Sequence, residues 1–147
     1  MDYQAAFQIS ASGMALEKLR FDVTVANLAN LHSPASSSAG VYKPLRVTGA
    51  AVPLSFAQQF GQLMAQGGGV QVQSIQTMDV VARQVHEPGH PQADSKGYVY
   101  YPGINHNSEM VNMMSALRAY EANVVAMTAA KTMVARTLDI GGNGGQA

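Results

Sequence analysis

The sequence predicts an α+β protein. Long N- and C-terminal helices are expected to form an antiparallel coiled-coil pair, with a small β-rich middle domain between them. Apolar residues recur at 3-4 spacing near both ends of the chain, whereas turn residues interrupt the middle throughout. We therefore expect a helical domain from residues 1–32 and 107–141, a β-rich or irregular middle domain over 33–106, and a flexible tail over 142–147.

The N-terminal helix is predicted over residues 2–30. Its two seam positions alternate over three heptads and hold Ala5, Ile9, Ser12, Leu16, Leu19, Val23 and Ala26. This is the seam pattern of a coiled coil. Several of these side chains are small, so the helix alone would pair only weakly.

The C-terminal helix is predicted over residues 108–138 and has the stronger seam. That seam holds Met110, Met113, Leu117, Tyr120, Val124, Met127, Val134 and Leu138. Lys131 occupies one further seam position as a single charged residue. Asn105 or Asn107 can cap the start of the helix, Glu109 suits its first turn, and Gly141–Gly142 is expected to end it.

Composition excludes several classes of partner. Nine basic and nine acidic residues give a formal net charge of zero, so no charge-driven attraction to nucleic acid or lipid is implied. Charged residues make up only 12% of the chain, against the usual share of about 25%. A surface that becomes buried against neighbouring subunits would explain this shortfall.

The chain has no cysteine, no Sec-type signal peptide and no apolar run of about eighteen residues that could span a membrane.

The middle of the chain reads as short strands joined by turns. We expect an edge strand over Val41–Val47, because Pro44 cannot donate a hydrogen bond within a sheet. An alternating strand is expected to start at Val70, another around Val80, Val81 and Val85, and a short one over Tyr98–Tyr101 after a turn at 94–97. A short amphipathic helix is expected around Phe56, Phe60, Leu63 and Met64.

Catalytic and metal sites have little support in the sequence. His86 and His90 lie near Glu87 and Asp94, but a turn at the intervening Pro88–Gly89 would keep the two imidazoles from sharing a helix face. The glycines at 67–69 lack the following Lys-Ser or Lys-Thr of a phosphate loop. We therefore expect a non-enzyme with no catalytic residues, no metal ligands and no cofactor. A metal-dependent hydrolase centred on these histidines is a distant alternative.

Three motifs carry a resemblance to a known family. Asn27-Leu28-Ala29-Asn30 resembles the N-terminal signature of bacterial flagellar rod and hook proteins. Residues 86–102 resemble the Pro-x-His-Pro-x-Ala-Asp-x-x-Gly-Tyr-Val run of proximal rod proteins of the FlgC type. Residues 109–123 resemble the C-terminal motif of the same family. In this family Asn27–Asn30 maps to the turn that leaves the first helix, where Asn can bind the last carbonyls and adopt left-handed backbone angles.

The resemblance implies a structural subunit of the bacterial flagellar proximal rod. Such subunits are exported by the flagellar type III apparatus without a cleaved signal peptide. They polymerise helically around the export channel with copies of themselves and other rod proteins, and they help to transmit torque. The terminal helices would then form the inner tube of the basal-body rod in the periplasm. A stand-alone secreted or adaptor helical binding module remains the alternative.

The expected assembly interface consists of seam residues on both helices. On the N-terminal helix it comprises Ile9, Leu16, Leu19, Val23, Asn27 and Asn30. On the C-terminal helix it comprises Met110, Met113, Leu117, Tyr120, Val124, Met127, Val134 and Leu138.

Overall fold

The computed structural model describes residues 3–52 and 68–143. In chain order the elements are helix α1 (Tyr3–Ala29), a 3-10 turn (Ser38–Gly40), strands β1 (Leu45–Ala51), β2 (Val70–Thr77), β3 (Arg83–His86) and β4 (Tyr98–Tyr101), and helix α2 (His106–Asn143). The helix expected around Phe56–Met64 and the end of the tail, 144–147, lie outside the described residues. Within the described part, no helix has the length and apolar character that a bilayer span requires.

The two long helices pack against each other and run antiparallel. Asn123 of α2 lies against Gly13 of α1, and Glu109 of α2 is hydrogen-bonded to Asn27 of α1. Residue numbers therefore fall along α2 as they rise along α1. The predicted α+β class, with paired terminal helices and a small β-rich middle, is confirmed.

The start of α2 follows the sequence, but its end does not. Asn105 caps the helix, because its side-chain oxygen accepts from the Ser108 N–H at 3.1 Å and its carbonyl accepts from Glu109 N at 3.0 Å. The expectation that Gly141–Gly142 ends α2 is wrong, since the helix continues to Asn143. A glycine cap acts through a left-handed backbone. Among the described residues only Gly97 has a positive φ.

The chain divides into two compact units, and both helices contribute to each. The first contains α1 up to Lys18, the described parts of Gly49–Gln73 and α2 from Leu117. Leu16, only 5% exposed, is its largest buried side chain and packs against Gly49. In the same unit the Ser12 hydroxyl accepts from the N–H of Val70 at 3.1 Å and so fixes the start of β2 on α1.

The second unit contains Leu19–Thr48 and Ser74–Ala116. Its buried residues include Asn27, Val47 and Val99, and Val99 has no exposed surface. Val99 lies on β4 opposite Val85 of β3. The buried residues of this unit thus include both apolar side chains on the strands and one polar side chain, Asn27, on α1.

Strands β1 and β2 form a two-stranded sheet. Hydrogen bonds flank it at both ends, from Val52 N to Gly69 O at 2.9 Å and from Met78 N to Pro44 O at 2.7 Å, so the strands run antiparallel. The strand predicted from Val70 is confirmed. The strand predicted over Val41–Val47 instead starts after Pro44, because proline has no N–H to donate and only its carbonyl joins the pairing.

Strands β3 and β4 form the second antiparallel pair, with Arg83 opposite Tyr101 and His86 opposite Tyr98. The predicted strand at Tyr98–Tyr101 and the turn before it are confirmed. That turn is closed by the Gly97 N–H bonding to the Asp94 carbonyl at 2.9 Å, and Gly97 has a φ of +79°, which favours glycine. The strand expected to include Val80 and Val81 starts only at Arg83, since Pro102 would be the next partner and cannot donate.

We predict that Val99→Ala lowers the free energy of unfolding by about 2 kcal/mol, because it removes fully buried methyl groups and leaves a cavity. Urea denaturation followed by circular dichroism would measure the change. Val81→Ala is the matched control: Val81 is 90% exposed, so the same substitution there should leave the midpoint unchanged. Equal effects at the two positions would contradict this account of the core.

Candidate functional site

Asn27 uses the full hydrogen-bonding capacity of its side chain. Its Nδ2 donates to the Leu45 carbonyl at 2.9 Å and to Glu109 Oε2 at 3.0 Å. Its Oδ1 accepts from the Leu45 N–H at 2.9 Å and from the Tyr42 hydroxyl at 3.0 Å. An amide has two donors and two acceptor sites, and all four are used here. The residue is only 2% exposed, so water cannot replace these partners.

This residue joins three separated parts of the second unit. It lies near the end of α1 and binds both backbone polar groups of Leu45, the first residue of β1. It also binds the first turn of α2 through Glu109, which accepts a further hydrogen bond from Asn112 at 3.3 Å. Burial and the nearby Glu109 carboxylate raise the pKa of Tyr42, so its hydroxyl is held in the protonated, donating form.

Asn30 performs the capping role expected for the motif, but without left-handed backbone. Its Nδ2 donates to the Ala26 carbonyl at 2.9 Å, and its Oδ1 accepts from Ser33 Oγ at 3.1 Å. The expected left-handed angles are wrong, because none of the described non-glycine residues has a positive φ. The chain leaves α1 through a tighter turn instead, closed by a bond from Leu31 N to Leu28 O at 3.2 Å.

The most deeply buried residues of α2 are small. Ala116 and Ala130 are its buried residues, and Asn123, midway between them, lies against Gly13 of α1. A Cβ atom built on Gly13 would lie 2.8 Å from Asn123 Oδ1, so a side chain at position 13 would displace the Asn123 amide from its present place. We call the line Ala116–Asn123–Ala130 the inner seam. The close contact between α1 and α2 on this line is the one between Gly13 and Asn123.

The inner seam lies one residue away from part of the seam read in the sequence. Leu117, Val124 and Lys131, which occupy one predicted seam position, directly follow Ala116, Asn123 and Ala130. All three are exposed in the protomer, and Leu117 is 46% exposed. The other predicted position agrees better with burial, since Met113, Met127 and Val134 are half-buried there and only Tyr120 is at the border of exposure.

The remaining residues expected at an assembly interface differ in burial. Leu16 and Asn27 are buried, and half-buried positions are occupied by Leu19, Val23, Asn30 and Met110. Ile9 is 45% exposed and Leu138 is 70% exposed. The protomer thus covers the middle of α1 but leaves large apolar side chains of α2 uncovered.

The segment around the histidines is held by local hydrogen bonds. Backbone N–H donation from Tyr98, and also from Lys96, lowers the pKa of Asp94. His90 Nδ1 accepts from Gln92 N at 3.1 Å, and the His86 ring packs edge-on against Tyr98. Among the described residues no group of three or more His, Asp or Glu side chains is placed to hold a metal ion. These contacts give the segment a role in shaping the turn before β4.

The amino-acid sequence is similar to those of a known protein family. Residues 95–140 match the family model described as the flagellar basal body rod FlgEFG protein C-terminal region. The flagellar basal-body rod protein FlgC of Salmonella typhimurium is 36% identical over 135 residues, covering 92% of this chain and 95% of that protein. This chain belongs to the FlgC family of flagellar basal-body rod proteins.

The similarity extends to distant bacteria. The FlgC protein of Bacillus subtilis is 34% identical, with 92% of this chain and 96% of that protein covered. The FlgC protein of Borreliella burgdorferi is 30% identical, with coverage of 92% and 95%. The resemblance read from the motifs is confirmed. As a member of the FlgC family the chain is a structural subunit of the basal-body rod and not an enzyme, which argues against both the hydrolase and the stand-alone binding module.

The partners of Asn27 were not predicted from the sequence. Tyr42 and Glu109 bind Asn27 from 15 and 82 positions away, and no local pattern indicates either pairing. The inner seam was also missed, because alanine carries little weight in a search for apolar periodicity. Glycine at position 13, in the interior of a predicted helix, was the available signal of close helix packing.

We predict that Asn27→Asp lowers the free energy of unfolding by about 2–4 kcal/mol, since it removes two donors and places a second carboxylate beside Glu109. Because two close carboxyl groups raise each other's pKa, the loss should be largest at neutral pH and smaller near pH 4. Chemical denaturation at both pH values would measure it.

Two further variants test this account of Asn27→Asp. Adding Glu109→Gln should recover part of the lost stability, because the new amide can donate to the aspartate. Asn112→Asp makes the same exchange at an exposed residue that also binds Glu109, and it should change stability by less than about 1 kcal/mol. A large loss there, or no recovery in the double variant, would contradict the mechanism.

The raised pKa of Tyr42 predicts sensitivity to alkaline pH. A phenol whose pKa in the folded chain lies above its ordinary value of 10.0 supports folding fully below pH 10. That support is lost as the pH rises through the folded pKa. Tyr42→Phe should therefore destabilise the chain by about 1 kcal/mol at pH 7 and reduce the further loss of stability above pH 10. Unchanged alkaline dependence in thermal melts would contradict the prediction.

Proposed function

We propose that the chain polymerises with helical symmetry in the proximal rod, with copies of itself and other rod proteins as neighbours. In this arrangement α1 and α2 form the inner tube around the export channel and the strands lie outside it. Packed helices continuous along the tube would pass torque from one subunit to the next. In this arrangement the helical domain expected from the sequence (1–32 and 107–141) would form the tube, and the expected middle domain (33–106) would lie outside it.

The observation that carries the proposal is the uncovered apolar surface of α2. Val111, Leu117, Val124, Val125, Leu138 and Ile140 are all exposed in the protomer. So many large apolar side chains left exposed on one helix indicate a protein contact, because leaving them in water is unfavourable. Because the chain belongs to a family of rod proteins, we expect the contacting molecules to be other rod subunits.

The proposed assembly interface combines two kinds of residue. Leu117, Val124, Leu138 and Ile9 are exposed and would contact neighbouring subunits directly. Leu16 and Asn27 are buried and would act indirectly, by holding α1 in the shape that presents those residues. Half-buried positions at the border of both helices would gain burial when a neighbour packs there; these are Leu19, Val23, Asn30, Met110, Met113, Tyr120, Met127 and Val134.

The route to the periplasm is the second part of the proposal. As a member of a family of basal-body rod proteins, the chain would be exported by the flagellar type III apparatus without a cleaved signal peptide. This route fits a chain without cysteine, which needs no disulfide chemistry after export.

We predict that Leu117→Asp leaves the protomer folded but blocks incorporation into the rod. Leu117 is 46% exposed, so a carboxylate there stays hydrated in the free chain and becomes buried only against a neighbour. Motility in soft agar and the content of this subunit in isolated basal bodies would measure incorporation. Circular dichroism and thermal melting of the purified variant would establish that it folds.

Leu16→Asp is the informative contrast. This variant also should not support motility, but because Leu16 is buried it should unfold the free chain. Arg118→Ala, a change at the exposed residue next to Leu117, serves as the control for a substitution on α2 and should be incorporated. A motile strain carrying Leu117→Asp would refute the proposed interface.

A further inference from the structure

The exposed residues of α1 follow heptad spacing along the whole helix. With Ile9 as the one exception within Tyr3–Ala29, they are Gln4, Gln8, Ala11, Ala15, Lys18, Asp22, Val25 and Ala29. We call this line the α1 outer seam. Alternating steps of four and three residues keep side chains on one face of a helix, which is the pattern by which helices pair. Since Leu16 and Asn27 are buried off this line, the seam is the side of α1 that the protomer leaves uncovered.

Helix α2 has an exposed line of the same spacing. It lies one residue beyond the inner seam and includes Leu117, Glu121, Val124, Thr128, Lys131 and Ala135. We call it the α2 outer seam. Successive residues of a helix are about 100° apart, so this seam is turned to one side of the inner seam. A further helix packed on it would not lie in line with α1 and α2, and a row of such contacts would bend as the wall of a tube does.

The direction of the helices limits which seams can meet in a rod. Within the protomer α1 and α2 run antiparallel. In a rod with the proposed helical symmetry all copies point the same way, so α2 of one copy runs antiparallel to α1 of the next copy and parallel to its α2. Parallel α2 helices in register would place Glu121 against Glu121 and Lys131 against Lys131, which is unfavourable. An antiparallel contact between the α2 outer seam and the α1 outer seam avoids these like-charge pairs.

One register of this contact gives both charges of the α2 outer seam a polar partner. With Glu121 opposite Lys18 of the next copy, seam residues meet seam residues throughout, as an antiparallel coiled coil requires. Named with the α2 residue first, the pairs are Leu117 with Asp22, Glu121 with Lys18, Val124 with Ala15, Thr128 with Ala11 and Lys131 with Gln8. The amide oxygen of Gln8 can accept from the Lys131 ammonium group. Leu117 lies between Val25 and the aliphatic stem of Lys18.

Registers shifted by one heptad leave the same charges without partners. In one of them Glu121 lies opposite Ala11 of the next copy. In the other it lies opposite Val25, and Lys131 lies opposite Ala15. A charge buried against an apolar side chain is unfavourable, because nothing replaces its lost hydration. Charge and spacing together therefore select a single register.

We propose that, in the rod, the α2 outer seam of one copy packs antiparallel on the α1 outer seam of the next copy, with Glu121 paired to Lys18. The two seams differ, so the contact is heterologous, and each copy uses one seam for each of two neighbours. Repetition of such a contact builds a ring or a helical array. The inference deepens the proposed rod function and rests on it, and it concerns the assembled rod alone.

Disulfide cross-linking in isolated basal bodies tests the register. The chain has no cysteine, so introduced thiols are the only ones it carries. A variant with both Ala11→Cys and Thr128→Cys should form links between copies on mild oxidation, seen as a ladder of oligomers in the absence of reductant. Each single variant should give no such ladder. Ala11→Cys combined with Ala135→Cys is the matched control and should also give none, because its thiols lie about 10 Å out of register.

Charge reversal tests the ion pair through incorporation. Lys18→Glu and Glu121→Lys should each lower the content of this subunit in basal bodies by about tenfold or more, since like charges then meet at every contact between copies. The double variant should restore the content, because it recreates the pair with its members exchanged. Co-expression of the two single variants should restore it as well. An ion pair within one chain could not be restored by co-expression, so this mixture shows that the charges meet between copies.

The outcomes separate this contact from the proposed rod function. The contact is overturned if the doubly substituted cysteine variant is incorporated but gives no link between copies, or links only to a different rod protein. Normal incorporation of both charge reversals also overturns it, and so does a loss that neither the double variant nor the mixture restores. In each of these cases a wild-type subunit found in basal bodies leaves the rod function standing. A wild-type subunit absent from basal bodies would refute that function itself.

Discussion

The structure depends on a buried amide that is satisfied on every side. Asn27 is placed within a helix, where its own backbone is already bonded, so its side chain is free to bind other segments. Those segments are the start of β1, the residue Tyr42 before it, and the first turn of α2. A hydrophobic residue at this place could fill the space but would leave the Leu45 backbone groups without partners. The polar side chain therefore specifies one arrangement of the second unit, at the expense of tolerating few substitutions.

The two faces of α2 use side chains of different size for different purposes. The inner seam holds alanine and asparagine, which allow close approach to α1 but bury little apolar area. Larger apolar side chains of α2, among them Met114, Leu117 and Val124, stay exposed in the protomer. An ordinary helical hairpin distributes these side chains the other way round. A chain that leaves its larger apolar groups uncovered in the protomer gains less stability from its own packing.

Much of the fold could be predicted from sequence because local signals agree with it. The helices, the Asn105 cap, the strand from Val70 and the turn before Tyr98 follow from periodicity, capping and turn chemistry. The predictions fail where a residue distant in the sequence determines the local structure. Pro102 stops β3 from reaching Val80 and Val81, and no signal near those valines indicates it. Likewise, heptad spacing is satisfied by more than one pair of positions on α2. The burial of Ala116 and Ala130 and the contact of Asn123 with Gly13 show which line lies inside. The family could be predicted because its motifs are specific, whereas the hydrogen-bond partners of Asn27 could not be predicted.

The antiparallel pairing of the chain ends also has a consequence for the order of folding. Asn27 and Glu109 are 82 positions apart, so their contact closes a loop that contains every strand of the middle region. Closing this loop carries a large loss of chain entropy. If the chain is exported N-terminus first through a narrow channel, as proposed, α1 would have no second helix from its own chain until α2 has also emerged. A chain stopped before α2 emerges would then be unable to form this contact.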